Sequence, residues 1–125
     1  MVVYHGTNSN FNRFDNSFLG ANTDDNACSE AFAETAHIGF WFTDNEETAG
    51  KYYDKVMECE LNLDNPYYIE SLGNLAEWIE MSGLTGAEIR EQLEEMGHDG
   101  IEIGYDEEFK GESYIVFDAD NIEIL

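Results

Sequence analysis

Apolar and polar positions fall into about six short segments whose periods read as β-strands. Val2 to His5 is β-branched and aromatic, and Gly6 follows it where the backbone needs freedom to turn or to meet a ligand closely. Ile38 to Phe42 is a continuous apolar run. Val56 to Leu63 alternates, with Met57, Cys59, Leu61 and Leu63 on one side, and stops at Asp64-Asn65-Pro66. Ile101 with Ile103, Tyr114 to Phe117, and Ile122 to Leu125 complete the set.

Between them lie helical signals. Thr43 with Glu46, or Asp44 with Glu47, predicts a capping box, and Ala49, Tyr52, Tyr53 and Val56 then share one helix face. Asn74 with Glu77 and Thr85 with Glu88 open two more helices, the second carrying Ile89, Leu93 and Met96 on one side and ending at Gly97. Asn8 to Ala36 has no sustained period and reads as a long polar loop, with a helical turn near Ser29 to Thr35. Strands at both ends around three helices predict an α+β fold on antiparallel sheet rather than a βαβ alternation.

Composition narrows the function. A chain of 125 residues with 42% hydrophobic content supports one packed domain, residues 1–125. Its 28 acidic residues against five basic ones leave a net charge of −23, which repels a nucleic-acid backbone or an anionic membrane. Such a surface is either a solvated exterior or an imitation of nucleic acid that fills a partner's basic groove. Cys28 and Cys59 are too few for a disulfide framework and read as reduced cytosolic thiols. No run reaches the length of about 18 apolar residues that spans a bilayer, and no leader pattern opens the chain, so the expected location is the cytoplasm.

Several chemistries lack their residues. His5, His37 and His98 are isolated from any set with ligand spacing, and Asp106-Glu107-Glu108 lacks the alternation of a calcium loop, so no metal is expected. The sequence has neither a phosphate loop with its lysine nor a serine nucleophile elbow.

Five pieces remain, in a definite order: His5-Gly6-Thr7 at the end of the first strand, Gly39-Phe40-Trp41-Phe42-Thr43-Asp44 running into Ala49-x-x-Tyr52, Asn65-Pro66, His98-Asp99-Gly100-Ile101, and Glu112-Ser113-Tyr114-Ile115-Val116-Phe117. In that order they resemble the ADP-ribosyltransferases of the diphtheria-toxin and poly(ADP-ribose) polymerase type, most closely the small branch found in phage polyvalent proteins. The resemblance covers about three quarters of the chain and implies a split antiparallel sheet with a cleft for NAD+, the ADP-ribose donor.

It also implies roles. The strand-ending histidine binds the adenosine-side ribose, and the next glycine offers backbone hydrogen bonds to the nicotinamide amide, which gives His5 and Gly6 those parts, with Thr7 beside them. An aromatic residue of the second strand and a tyrosine one helical turn after a small residue enclose the nicotinamide ring; Trp41, Ala49 and Tyr52 match. Arg13 lies close enough in sequence to reach the pyrophosphate, whereas Lys51 is spaced to pair with Glu47. His98-Asp99-Gly100 reads as an architectural turn.

One position departs from the pattern. In polymerase-type members a glutamate directly precedes the Tyr-Ile-Val-aromatic strand, and here that residue is Ser113, with Glu112 one place earlier. Strand side chains alternate, so Glu112 points away from the cleft unless a bulge at Gly111 re-aims it. The catalytic candidates are therefore Glu112 and Ser113. Cleavage of the nicotinamide–ribose bond develops positive charge on the ribose, which a carboxylate stabilises. Glu107 and Glu108 on the preceding loop are further acids within reach along the chain.

The expected function is NAD-dependent mono-ADP-ribosylation of a host protein by a phage-encoded enzyme acting against host defence, without direct nucleic-acid or membrane binding. The rival is a non-catalytic acidic inhibitor, a nucleic-acid mimic on the same fold that binds a basic partner.

Overall fold

The computed structural model describes residues 2–7, 38–50, 55–106 and 111–125. The loop expected between Asn8 and Ala36, including Arg13, lies outside the described residues, as do Lys51, Tyr52, Glu107 and Glu108.

In chain order the elements are β1 (Val2–Thr7), β2 (Phe40–Thr43), α1 (Glu46–Gly50), β3 (Lys55–Leu61), β4 (Tyr67–Ile69), α2 (Leu72–Ser82), α3 (Gly86–Glu95), β5 (Gly100–Asp106), β6 (Gly111–Val116), a 3₁₀ turn (Ala119–Asn121) and β7 (Ile122–Ile124). The strands form one seven-stranded sheet in the order β4-β5-β6-β2-β1-β3-β7. Every pairing is antiparallel except β4 with β5, so the expected α+β class holds. The parallel pair follows from connectivity, because α2 and α3 together carry the chain back across the sheet between its two members.

β4 is the strand that the apolar pattern misses. Tyr67, Tyr68 and Ile69 have strong strand propensity, but three residues after Pro66 are too short to show a period. Pairing with Ile101 to Ile103 of β5 makes them a strand.

Two apolar layers cover the two faces of the sheet. On the helical side Ile38, Ile69, Ile101, Ile103, Ile115 and Phe117 meet Leu75 and Ile79 of α2 and Ile89 and Leu93 of α3. On the other side Val3, Phe40, Phe42, Cys59, Leu61, Tyr114 and Val116 form a second cluster. The alternation of "YIVF" explains both, since Tyr114 and Val116 point one way and Ile115 and Phe117 the other.

Helix ends differ in detail from the sequence expectations. Asn45 caps α1, its Oδ1 accepting from the N–H groups of Glu47 and Thr48, in place of Thr43 or Asp44. Ser71 caps α2, where Asn74 is the donor to its hydroxyl and not the cap. Met96 is not part of the apolar stripe of α3, because the helix ends at Glu95 and Met96 is 62% exposed. Val56 lies in β3 and not on a helix. The Thr85–Glu88 capping box is present in full, with both reciprocal bonds formed at 3.1 and 3.2 Å. Thr85→Ala removes one of them and is expected to cost about 1 kcal/mol in urea denaturation. A loss below about 0.3 kcal/mol would show that the cap is replaced by solvent.

The His98-Asp99-Gly100 turn is architectural, as its hydrogen bonds show. The Asp99 carboxylate accepts from the N–H groups of Asp64 and Asn65, the Asn65 amide donates to the Gly97 carbonyl, and His98 Nδ1 donates to the Asn65 carbonyl. Phe117 N–H donates to the Asp99 carbonyl, so the turn ties the end of α3 to β6 and to the loop before β4.

Candidate active site

β2 and β6 are in register over four residues, with Phe40, Trp41, Phe42 and Thr43 opposite Val116, Ile115, Tyr114 and Ser113. Tyr4 of β1 lies opposite Thr43. Residues directly opposite one another share a face, and alternate residues along a strand share it too. Trp41, Thr43, Tyr4, Gly6, Ser113 and Ile115 therefore face one side of the sheet, while Phe42, His5, Tyr114 and Glu112 face the other.

The first side carries Trp41, Gly6 and Ser113, with α1 packed near them. Trp41 is half-buried and packed on the edge of the helical-side core. Gly6 lies opposite Val56 on β3, and a side chain at Gly50 of α1 would touch Val56 Cγ2, which seats α1 on this same face. Ala49 of that helix is buried against the sheet. Ser113 is buried between Thr43 on β2 and Ile103 on β5. Thr43 Oγ1 accepts from the N–H of Asn45, which fixes the turn from β2 into α1.

His5 is on the reverse face but is tied to the same strand. Its Nδ1 lies 2.7 Å from the Trp41 carbonyl oxygen. A carbonyl can only accept, so Nδ1 carries the proton and Nε2 is the acceptor nitrogen of the ring. The imidazole leans on Phe42 at 5.4 Å between centroids. Thr7 ends β1 opposite Lys55.

Glu112 is held by three contacts. Its carboxylate accepts from the Tyr114 hydroxyl at 2.9 Å, its N–H donates to Asp44 Oδ1 at 3.0 Å, and its carbonyl accepts from the Asp44 N–H at 3.1 Å. A Cβ on Gly111 would collide with Asp44 Oδ1, so glycine is required there for the Asp44 carboxylate to reach the β6 backbone. The expectation that Gly111 permits a bulge has a different outcome. The register shift between β5 and β6, from Ile103 to Asp106, places the extra residue on β5. Burial and the carboxylates of Glu112, Glu102 and Asp44 push the Tyr114 phenol well above its usual range, so it stays a donor at every ordinary pH.

Trp41, Ala49, Gly6 and Ser113 are thus brought to one face, and His5 and Glu112 to the other. The Asp44 and Tyr114 clamps on Glu112 leave no periodic signal in sequence. A free nucleophile is not supplied by Cys59, whose thiol is buried and pushed up to about 11. Among the described residues no group of three or more His, Cys, Asp and Glu could hold a metal ion, and no helix is long and apolar enough to cross a membrane.

A family model of the ADP-ribosyltransferases in polyvalent proteins matches residues 1–123. The chain belongs to this family. No curated protein and no solved structure matches it. It is an ADP-ribosyltransferase domain, a class whose donor is NAD+, and the match covers the variable stretch before β2 and the α2–α3 pair as well as the ordered motifs.

In this ADP-ribosyltransferase the buried His5 makes stability depend on pH. Burial lowers its pKa below the usual 6.5, the bond to the Trp41 carbonyl partly opposing that shift. Below about pH 6.5 the unfolded chain takes up a proton that the folded chain resists, so this contribution is present above that pH and is lost as pH falls. The drop in urea midpoint between pH 7.5 and 5.5 is expected to be larger in the wild type than in His5→Asn. Equal drops in the two proteins would count against it.

Proposed function

We propose that the domain transfers a single ADP-ribose from NAD+ onto a protein of the host of a phage or mobile element, in the cytoplasm, and that the modification acts against host defence. The observation that carries the reading is the convergence of Trp41, Gly6, Ala49 and Ser113 on one face of the sheet, at the turn from β2 into α1. A flat half-buried indole fits a neutral aromatic leaving group, and a residue without a side chain beside it lets an amide approach the backbone.

NAD+ supplies the ADP-ribosyl group and departs as nicotinamide. The chain's own residues have simpler tasks. Trp41 stacks on the ring, Gly6 offers its backbone, Tyr52 closes the other side of the ring and Arg13 meets the pyrophosphate. His5, on the reverse face with its Nδ1 proton given to the Trp41 carbonyl, holds in place the strand that carries the indole.

Incubation with labelled NAD+ and host lysate tests the proposal. Label on protein together with nicotinamide release is expected; absence of transfer, of release and of NAD+ binding would sink it. A second reading draws on the −23 charge, as an acidic inhibitor filling the basic groove of a nucleic-acid-handling partner. In that case His5→Ala and Tyr52→Phe leave function intact, whereas charge reversals at exposed glutamates abolish it.

A further inference from the structure

Positions 112 and 113 lie on opposite faces of β6, and the neighbours of each decide which one meets the Trp41 side. Ser113 stands between Thr43 and Ile103, while Tyr114 stands between Phe42 and Glu102. The β2–β6 register runs unbroken from Phe40 to Thr43 and ends there; beyond it the Asp44 N–H donates to the Glu112 carbonyl while the Asp44 carboxylate takes the Glu112 N–H. The extra residue in the β5–β6 register lies on β5, so the side chains of β6 alternate up to Glu112. The Tyr114 hydroxyl, 4% exposed as a residue, then fastens the Glu112 carboxylate on the reverse face at 2.9 Å.

Resting on the reading of the Trp41 face as the nicotinamide side of the cleft, we infer that Ser113 is the β6 side chain presented to the nicotinamide-bearing ribose, and that the Tyr114 hydroxyl and the Asp44 carboxylate hold Glu112 outside the reaction. The hydroxyl of Ser113 can donate to or accept from a ribose hydroxyl, but it carries no charge to set against the positive charge developing on the sugar. Transfer by this chain is accordingly slower than a carboxylate at the same position would allow. Glu112 belongs instead to the acidic reverse face, with Glu102 and Asp44 around Tyr114.

The experiment compares nicotinamide release from NAD+ by the wild type, S113A, S113E and E112Q. Calorimetry measures NAD+ affinity, and circular dichroism verifies folding. S113E is expected to raise kcat by more than about tenfold, and S113A to lower it by about tenfold with little change in NAD+ affinity. E112Q is expected to stay within about threefold of the wild type, because its carboxylate never meets the sugar. A loss of about a hundredfold in E112Q beside an unaffected S113A overturns the inference.

If the wild type binds NAD+ but turns over too slowly to measure, a gain in S113E upholds the inference, and a folded, NAD-binding S113E that remains as slow overturns it. If S113E does not fold, S113A and E112Q decide between them. Failure of every folded variant to bind NAD+ overturns the reading of the Trp41 face, and this inference with it.

Discussion

Gly39→Ala is expected to destabilise the domain by about 3 kcal/mol or more. Gly39 is buried just before β2, and a Cβ there would overlap the carbonyl oxygen of Val116 and crowd Ile115 Cγ2. Neither neighbour can yield. Val116 is paired on both sides, with Phe40 of β2 and Gly100 of β5, so its backbone is fixed by two ladders. Ile115 is fully buried in the core beneath α2 and α3. Overpacking against backbone has no cheap relaxation, and the strand that carries Trp41 must shift instead.

Urea denaturation of Gly39→Ala beside Gly73→Ala checks this. Gly73 is exposed on α2, and a Cβ there would meet only Ser71 Oγ, at 3.7 Å, so its substitution is expected to be neutral or slightly stabilising. A loss below about 1 kcal/mol at Gly39 would contradict the close approach of β2 and β6.

Trp41→Ala is expected to lower kcat/KM for NAD+ by about a hundredfold or more, equivalent to roughly 2.7 kcal/mol. Two losses combine. An aromatic face stacked on another ring contributes about 0.5–1.5 kcal/mol beyond the apolar area it buries, and that area vanishes with the indole. Part of the same side chain also packs on the helical-side core, so some stability goes with it. Trp41→Phe keeps an aromatic face and is expected to retain activity within about tenfold of the wild type. Steady-state kinetics of both variants, at a temperature where both are folded, give the comparison. If Trp41→Ala were folded and as active as the wild type, the nicotinamide would have to lie elsewhere.

The two clamps on Glu112 bear on how such domains can be read from sequence. The order Glu112-Ser113-Tyr114 puts a carboxylate near the expected place, and sequence alone leaves both residues as candidates. Side-chain alternation narrows that choice, but only the position of the extra residue in the β5–β6 register decides it. Had the bulge fallen on β6, Glu112 would face Trp41. The Tyr114–Glu112 bond joins residues two apart and so needs nothing more than a straight strand, yet its consequence depends on β2 lying alongside.

Periodicity along the chain determined most of the architecture. "VVYH", "GFWFT", "MECEL" and "YIVF" carry strand signals strong enough to be read singly, because burial of one face or both leaves a mark on composition every second residue. Thr85 and Glu88 likewise announce a helix by residues that bond to each other locally. The order of the motifs around His5, Trp41 and Tyr114 further pointed to the ADP-ribosyltransferases, since each motif follows an element that the pattern already marks. What tertiary structure alone decided is non-local. β4 is a strand because β5 lies beside it, helix starts shift by one to three residues according to which side chain reaches the free N–H groups, and His5 takes its tautomer from the carbonyl of a residue 36 positions away. The faces of Glu112 and Ser113 belong to the same class: both side chains are legible in sequence, but which one meets the cleft is set by hydrogen-bond register between strands that no local pattern encodes.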